Sequence, residues 1–128
     1  MIVLDASVLI AHFDSTDAHH QRADALLLKL EAEPLAASPL TLAEVLVGPA
    51  RSGHLAQAVV ALSQLEVSTV PLDEGAPVKL ATLRARTNLK LPECCVLLAA
   101  EQVHATLATF DEQLAAAAIE TGFAVTEQ

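Results

Sequence analysis

The sequence predicts an α/β fold, in which a mostly parallel sheet of four or five short strands carries helices on both faces. Short apolar runs alternate with longer helical patterns along the chain, as expected when crossover helices connect parallel strands. Hydrophobic residues make up 53% of the sequence and aromatic residues only 2%, so Leu, Ala and Val build the core. At 128 residues the chain has room for a single domain, predicted to span 1–128.

The strands are predicted from apolar and β-branched runs. Ile2 to Leu4 is a short apolar run that reads as a buried central strand. The segment 67–72 alternates and is rich in β-branched residues, which indicates another strand. The remaining predicted strands are 35–37, 105–109 and a closing edge strand at 123–125.

The helices are predicted from periodicity together with capping residues, prolines and glycines. Asp17 is a candidate N-cap, and Ser38 precedes a proline at a first helical position. Gly48-Pro49 is expected to end the third helix, and Pro92 is expected at the first position of the sixth, with Glu93 second. The predicted helices are 6–13, 18–31, 39 to the Gly48-Pro49 pair, 54–64, 73–87, 92–103 and 111–122.

The charge pattern bears on nucleic acid as a partner. A net charge of -9 by itself argues against binding phosphates. However, Lys79, Arg86 and Lys90 are spaced i, i+7 and i+11, close to one helical face. This basic face is either an ordinary solvated surface or an RNA contact.

The cysteines and histidines indicate the compartment and exclude one class of metal site. Cys94 and Cys95 are adjacent, and since a vicinal disulfide is strained, we expect reduced, buried thiols in a reducing compartment. The chain shows no basic leader and no apolar stretch near the roughly 18 residues of a membrane span, so we expect a cytoplasmic protein. No two histidines are spaced i, i+4 on one helix, which argues against zinc.

Four acidic residues stand where such a fold would bring them together. Asp5 and Asp111 follow predicted strands, while Glu44 and Glu93 lie near the starts of predicted helices. Ligands of parallel α/β sheets bind at the carboxyl ends of the strands. Because clustered carboxylates raise one another's pKa, the cluster implies a divalent cation, and carboxylate oxygens suit Mg²⁺ or Mn²⁺.

A cation held this way can activate water against a phosphodiester. Ser7 and Thr109 are candidates to orient a ligand carboxylate or a phosphate oxygen. Taken singly, Asp111 has a structural explanation as an N-cap, and Glu93 has one as a favourable charge in a first helical turn. Jointly, the four acids favour a metal site.

Four motifs give the chain a family resemblance. They are Ile-Val-Leu-Asp-Ala-Ser at 2–7, Thr-Leu-Ala-Glu-Val at 41–45, Leu-Lys-Leu-Pro-Glu at 89–93 and Ala-Thr-Phe-Asp at 108–111. In order and approximate spacing they resemble the four acidic motifs of PIN-domain ribonucleases of the VapC toxin type. The resemblance covers nearly the whole chain.

The resemblance implies a PIN-like three-layer sandwich and an endoribonuclease that depends on Mg²⁺ or Mn²⁺. It implies catalytic and metal-binding roles for Asp5, Glu44, Glu93 and Asp111, with products carrying 5′-phosphate and 3′-hydroxyl ends. It further implies an RNA substrate such as tRNA, rRNA or mRNA, a cognate VapB-type antitoxin, and often a homodimer.

The chain departs from the family pattern at two positions. Glu93 stands where the third motif usually carries Asp, which lengthens the side chain by one methylene. Asp111 is followed by Glu112-Gln113, where a second acid or a basic residue often occurs, so Glu112 is a weaker candidate for an extra contact.

Other functions remain open at this stage. A phosphatase with Asp5 as nucleophile would usually have a second acid where Ser7 stands, and a receiver domain would need an acidic pair at the first strand and a later lysine. A non-catalytic module whose acidic pocket receives a partner's arginine is also compatible with the motifs. Metal-dependent turnover distinguishes it from the enzyme.

Overall fold

A four-stranded parallel sheet lies at the centre of the structure, a computed structural model that describes residues 1–126. Its strands are β1 (Ile2–Leu4), β2 (Leu35–Ala37), β3 (Val67–Thr69) and β4 (Thr106–Ala108), in the order β3-β2-β1-β4. Every pairing within this sheet is parallel. The α/β class predicted from the sequence is therefore confirmed.

Helices cover both faces of the sheet. Within residues 1–126 they are α1 (Ala6–Phe13), α2 (His20–Lys29), α3 (Pro39–Arg51), α4 (Leu55–Gln64), α5 (Ala76–Thr87), α6 (Leu91–Gln102) and α7 (Glu112–Glu120). None of these helices is long and apolar enough to cross a membrane.

Two hydrophobic cores result from the alternation of side chains along β1. Ile2 and Leu4 belong to the core beneath α1, α2, α3 and α4. Val3 belongs to the opposite core, with residues of α5, α6 and α7. Because neighbouring residues of a strand point to opposite faces, three residues are enough to join both helical layers. This is the predicted three-layer sandwich.

The register of the central strands determines where the site lies. Leu4 pairs with Ala108, and the Asp5 N–H donates to the Ala108 carbonyl at 2.9 Å. The residues that follow β1 and β4 therefore lie side by side at the carboxyl edge of the sheet. Ligands of doubly wound sheets bind at such an edge.

The predicted end of α3 is wrong. The helix continues through Gly48 and Pro49 to Arg51, because Pro49 removes only its own N–H donor. The Ser52 N–H still donates to the Gly48 carbonyl, and the His54 N–H donates to the Pro49 carbonyl. Gly48 has no Cβ to clash with the proline ring, which removes part of the usual penalty on the residue before proline.

The predicted edge strand at 123–125 is reduced to one parallel bridge between Leu107 and Val125. Within the described residues, two backbone hydrogen bonds support it: Leu107 N–H to the Ala124 carbonyl, and Thr126 N–H to the Leu107 carbonyl. β3 and β4 are also shorter than predicted. Strand ends without paired neighbours on both sides lack the ladder that would extend them.

Five helix starts differ from the prediction. α4, α5 and α7 begin at Leu55, Ala76 and Glu112 instead of 54, 73 and 111. α2 begins at His20, because the Asp17 side chain accepts the His19 N–H at 2.8 Å and forms a turn before the helix. α6 begins at Leu91, which places Glu93 at the third helical position instead of the second. Cys94 and Cys95 lie buried in α6 as free thiols, and burial raises the pKa of both.

Candidate metal and catalytic site

Asp5 is the most buried acid of the site. It lies between β1 and α1, with its side chain only 9% exposed. Its Oδ2 accepts a hydrogen bond from Ser7 Oγ at 2.8 Å and another from Thr109 Oγ1 at 2.8 Å. Two hydroxyl donors on one oxygen fix the direction of the carboxylate.

Ser7 and Thr109 also hold the connection that follows β4. Ser7 Oγ accepts the Phe110 N–H at 3.0 Å, and Thr109 Oγ1 accepts the Asp111 N–H at 3.0 Å. Each hydroxyl therefore donates to Asp5 and accepts from a backbone amide of the fourth motif. The two residues singled out as site support couple motifs that are more than 100 positions apart.

Glu44 lies near Asp5 and Glu93, as its electrostatics show. The pKa of Glu44 is raised, first by partial burial and then by the negative charges of Asp5 and Glu93. The upward direction means that repulsion and desolvation outweigh any nearby cation. α3, α6 and the end of β1 thus place Glu44 within electrostatic reach of the other two carboxylates.

Glu93 and Asp111 have capping roles at helix starts. Glu93 Oε2 accepts the Lys90 N–H at 3.1 Å, while Asp111 Oδ1 accepts the Gln113 N–H at 2.9 Å and the Leu114 N–H at 3.1 Å. Each cap uses one carboxylate oxygen, so the second oxygen of each group can still serve a ligand. Asp111 is linked to Asp5 through Thr109.

The donor set fits a hard cation. Among residues 1–126, no group of three or more acidic, histidine or cysteine side chains is arranged to hold a metal ion. Mg²⁺ does not need such a group, since it is usually held by one or two carboxylates and keeps several waters. A bound cation would relieve the repulsion that Asp5 and Glu93 exert on Glu44.

The predicted basic face is not one surface. α5 ends at Thr87, and Asn88 adopts a left-handed conformation with φ 60°, so Lys90 lies outside that helix as the N-cap of α6. The prediction that Lys90 shares a helical face with Lys79 and Arg86 is therefore wrong. Lys79 Nζ pairs with Asp73 at 3.4 Å on the exposed surface, and Glu112 is exposed at the start of α7.

Three residues beside the site were not predicted as site residues: His19, Arg22 and Phe110. Of these, Phe110 alone lies within one of the four motifs. The ring of Phe110 lies 5.4 Å from that of His19, and the Arg22 guanidinium carbon lies 4.6 Å from the Phe110 centroid. His19 and Arg22 come from the start of α2, so only the fold brings them to Phe110. The one hint in the sequence is the rarity of aromatic residues, with three Phe and no Tyr or Trp.

An apolar groove opens next to Glu44. It has a volume of about 620 Å³ and lies between α1, α3 and α4. Ile10 and Phe13 line it from α1, and both side chains are 39% exposed. Both side chains therefore present apolar surface to this groove.

Comparisons with known proteins agree with this architecture. The family model described as PIN domain matches residues 2–120. No curated protein sequence matches the chain significantly. Mycobacterium tuberculosis VapC20, described as a Sarcin-Ricin loop cleaving toxin, superposes with a TM-score of 0.78 at 18% identity, covering 100% of both chains.

Two further solved structures are similar. A toxin-antitoxin complex from Klebsiella pneumoniae has a TM-score of 0.69 at 26% identity, covering 87% of each chain. FitAcB from Neisseria gonorrhoeae has a TM-score of 0.73 at 24% identity, covering 99% of this chain and 97% of that one. The resemblance drawn from the four motifs is confirmed.

Proposed function

The chain belongs to the PIN-domain family, and from this premise we propose that it is a metal-dependent endoribonuclease and the toxin of a toxin-antitoxin pair. The observation that carries the proposal is the position of Glu44, whose pKa is raised by partial burial and further by the negative charges of Asp5 and Glu93. A chain that folds with such uncompensated repulsion is suited to a cation that removes it.

Each acid has a proposed role at the metal. Asp5, Glu44 and Glu93 bind a Mg²⁺ or Mn²⁺ ion directly or through its water ligands. Asp111 supports the site from the start of α7. When bound, the ion would lower the pKa of a water and neutralise charge on the phosphodiester. Ser7 and Thr109 keep the Asp5 carboxylate aligned, since both donate to its Oδ2.

The proposed substrate is RNA, cleaved to leave 5′-phosphate and 3′-hydroxyl ends. VapC20 is described as cleaving the Sarcin-Ricin loop, which supports a structured RNA such as rRNA or tRNA here, with mRNA as the other class. Lys79, Arg86 and Lys90 remain candidate RNA contacts as separate positions. They no longer form a single helical stripe.

The proposed partner is a VapB-type antitoxin. The groove between α1, α3 and α4 is lined by apolar residues such as Ile10, Phe13 and Val45 together with polar ones, and it reaches Glu44. It suits a partner segment with an apolar face and one basic side chain directed at the carboxylates. We also propose a homodimer, because Leu55, Val59 and Val60 on α4 are 43%, 49% and 55% exposed. The buried free thiols support a cytoplasmic location.

The decisive experiment is cleavage of labelled small RNA by the purified chain in Mg²⁺ or Mn²⁺, beside EDTA and Asp5→Asn. We expect discrete fragments that disappear in both controls, while the circular dichroism of Asp5→Asn stays unchanged because Asn can still accept from Ser7 and Thr109. A parallel Glu93→Asp variant tests whether the longer arm shifts the preference between the two ions. Metal-independent partner binding without any fragments would instead favour the non-catalytic interaction module.

A further inference from the structure

Phe110 is held in a fixed position next to the carboxylates. Its backbone N–H donates to Ser7 Oγ at 3.0 Å, and Ser7 Oγ donates to Asp5 Oδ2 at 2.8 Å. Its neighbours in the chain are Thr109 and Asp111, both part of the site. Two hydrogen bonds through Ser7 therefore connect the backbone of Phe110 to the Asp5 carboxylate.

The start of α2 brings two further groups to the same ring. His19 lies with its ring centroid 5.4 Å from that of Phe110, the planes inclined by 40°. The Arg22 guanidinium carbon lies 4.6 Å from the Phe110 centroid. We call His19, Phe110 and Arg22 the aromatic platform. Phe110 is half-buried, whereas His19 and Arg22 are exposed.

α2 is held firmly enough to keep this arrangement. His12 on α1 contacts Asp24 on α2 at 2.6 Å, and His20 Nε2 lies 3.4 Å from the other Asp24 oxygen. His20 Nδ1 lies 2.8 Å from the Ala11 carbonyl at the end of α1. These contacts join α1, which follows Asp5 directly, to the first turns of α2. The platform is thus connected to the carboxylates through α1 as well as through the segment after β4.

We propose that the aromatic platform holds a single-stranded nucleotide of the RNA next to the phosphodiester that is cut. This inference rests on the proposed ribonuclease function. Single-stranded RNA is recognised by stacking its bases on aromatic rings and guanidinium planes. Arg22 also supplies a positive charge beside an acidic site in a chain of net charge -9, where a phosphate backbone otherwise meets repulsion.

The competing explanation is that the platform only packs α2 against the connection after β4. In that case its loss would lower thermal stability without changing RNA affinity. The variants must therefore be compared by binding of the folded chain, with the melting temperature measured separately. Arg22→Gln removes the charge, Arg22→Lys keeps the charge but not the planar group, and Phe110→Leu removes the ring.

The test measures binding of a short fluorescein-labelled single-stranded RNA by fluorescence anisotropy, in an Asp5→Asn background with Mg²⁺ over a salt series. We expect Arg22→Gln and Phe110→Leu each to weaken binding about 10-fold. Arg22→Gln should also reduce the slope of log K against log salt by about 0.7, and Arg22→Lys should restore this slope without the full affinity.

Lys29→Gln is the matched control. Lys29 is the last residue of α2, at the end of the helix far from the platform, and its replacement removes one positive charge from the same helix. We expect RNA binding within about 2-fold of the parent, because the surface charge effect is small away from the contact. Equal weakening by Lys29→Gln and Arg22→Gln would overturn the platform.

Cleavage by the unmodified chain is assayed in parallel, so that the two proposals fail separately. If the chain cuts RNA while Arg22→Gln and Phe110→Leu bind RNA as tightly as the parent, the platform is wrong and the ribonuclease stands. If the chain cuts no RNA while binding depends on Arg22 and Phe110, the platform stands and the ribonuclease is wrong.

Discussion

At the scale of single residues, Asp5 shows how polar side chains are arranged around one carboxylate. Thr109 is fully buried, and its hydroxyl gives one hydrogen bond to Asp5 and receives one from Asp111 N–H. Ser7 repeats the pattern with Phe110 N–H. A buried polar group costs free energy unless it is hydrogen-bonded, so these bonds stabilise the fold as well as orient the acid.

Replacing Thr109 by Val tests this double role. Valine keeps the shape but leaves the Asp111 N–H without its acceptor and Asp5 with one hydroxyl donor fewer. We expect a loss of about 1–3 kcal/mol in the free energy of unfolding and a 10–100-fold loss of metal-dependent cleavage. Thr109→Ser keeps the hydroxyl and should retain most activity. Full activity of Thr109→Val would contradict the positioning role.

The raised pKa of Glu44 predicts how the stability of the metal-free chain depends on pH. The folded pKa of Glu44 lies above the ordinary value of 4.5, so the stability linked to its protonation is complete below that value and is lost as pH rises through the folded pKa. In EDTA at pH 7, Glu44→Gln should therefore raise the melting temperature. The gain in the free energy of unfolding is at most about 1 kcal/mol, because Glu44 is only partly buried and solvent screens its charge.

The pH profile provides the check on this prediction. Below the ordinary pKa, Glu44 is neutral in both states, so the difference between Glu44→Gln and the parent should vanish there. Glu112→Gln removes a charge from the first turn of α7, where the helix dipole favours an anion, and should not raise the melting temperature. A gain for Glu44→Gln that persists at low pH would show that the cause is not charge repulsion.

At the scale of elements, proline acts according to its position in a helix. Pro77 lies at the second position of α5, where an N–H would have no helical partner. Pro49 lies inside α3 and deprives the Val45 carbonyl of its donor. α3 continues nevertheless, because it packs against α1, α4 and α6. Tertiary packing here outweighs a local signal that ordinarily ends helices.

Replacing Pro49 by Ala should stabilise the chain. Alanine restores the N–H and removes the clash of the ring, but it also returns to the unfolded chain the entropy that proline restricts. We expect a net gain of about 1–2 kcal/mol in the free energy of unfolding. Pro77→Ala should be neutral or slightly destabilising. Urea denaturation of both variants is the measurement, and a gain from Pro77→Ala equal to that from Pro49→Ala would contradict the positional explanation.

At the scale of the whole molecule, the sheet joins two cores and carries the site at one edge. Leu107 is fully buried in β4 and packs in the core with α6 and α7, while the next residue, Ala108, belongs to the opposite core. The same strand leads directly into Thr109, Phe110 and Asp111. Packing within the sheet therefore sets the position of the edge that carries the candidate site.

Leu107→Ala tests how strongly the core supports this frame. A buried Leu replaced by Ala leaves a cavity, and we expect a loss of about 2–5 kcal/mol in the free energy of unfolding. Ile119→Ala is the control, since Ile119 is 63% exposed and its truncation should cost little. The measurement is the midpoint of chemical denaturation. Equal losses for both variants would show that Leu107 is not a core residue.

The sequence by itself determined the order and type of the elements from β1 to α7, the first strand and helix with their bounds, and the four acids as candidates. These follow from local patterns: apolar periodicity, caps such as Ser38, and acids placed after buried strands. The functional roles of the acids, of Ser7 and Thr109, and of the basic residues remain predictions. The family and the α/β sandwich are confirmed.

Only the tertiary structure decided which side chains meet. The parallel register of β1 and β4 places Thr109 on Asp5, and the packing of α2 on α1 brings His19 and Arg22 to Phe110. The left-handed turn at Asn88 removes Lys90 from the face of α5, against the spacing in the sequence. Local propensity sets what a segment can form, whereas contacts between distant segments depend on register and packing, which no short window of sequence contains.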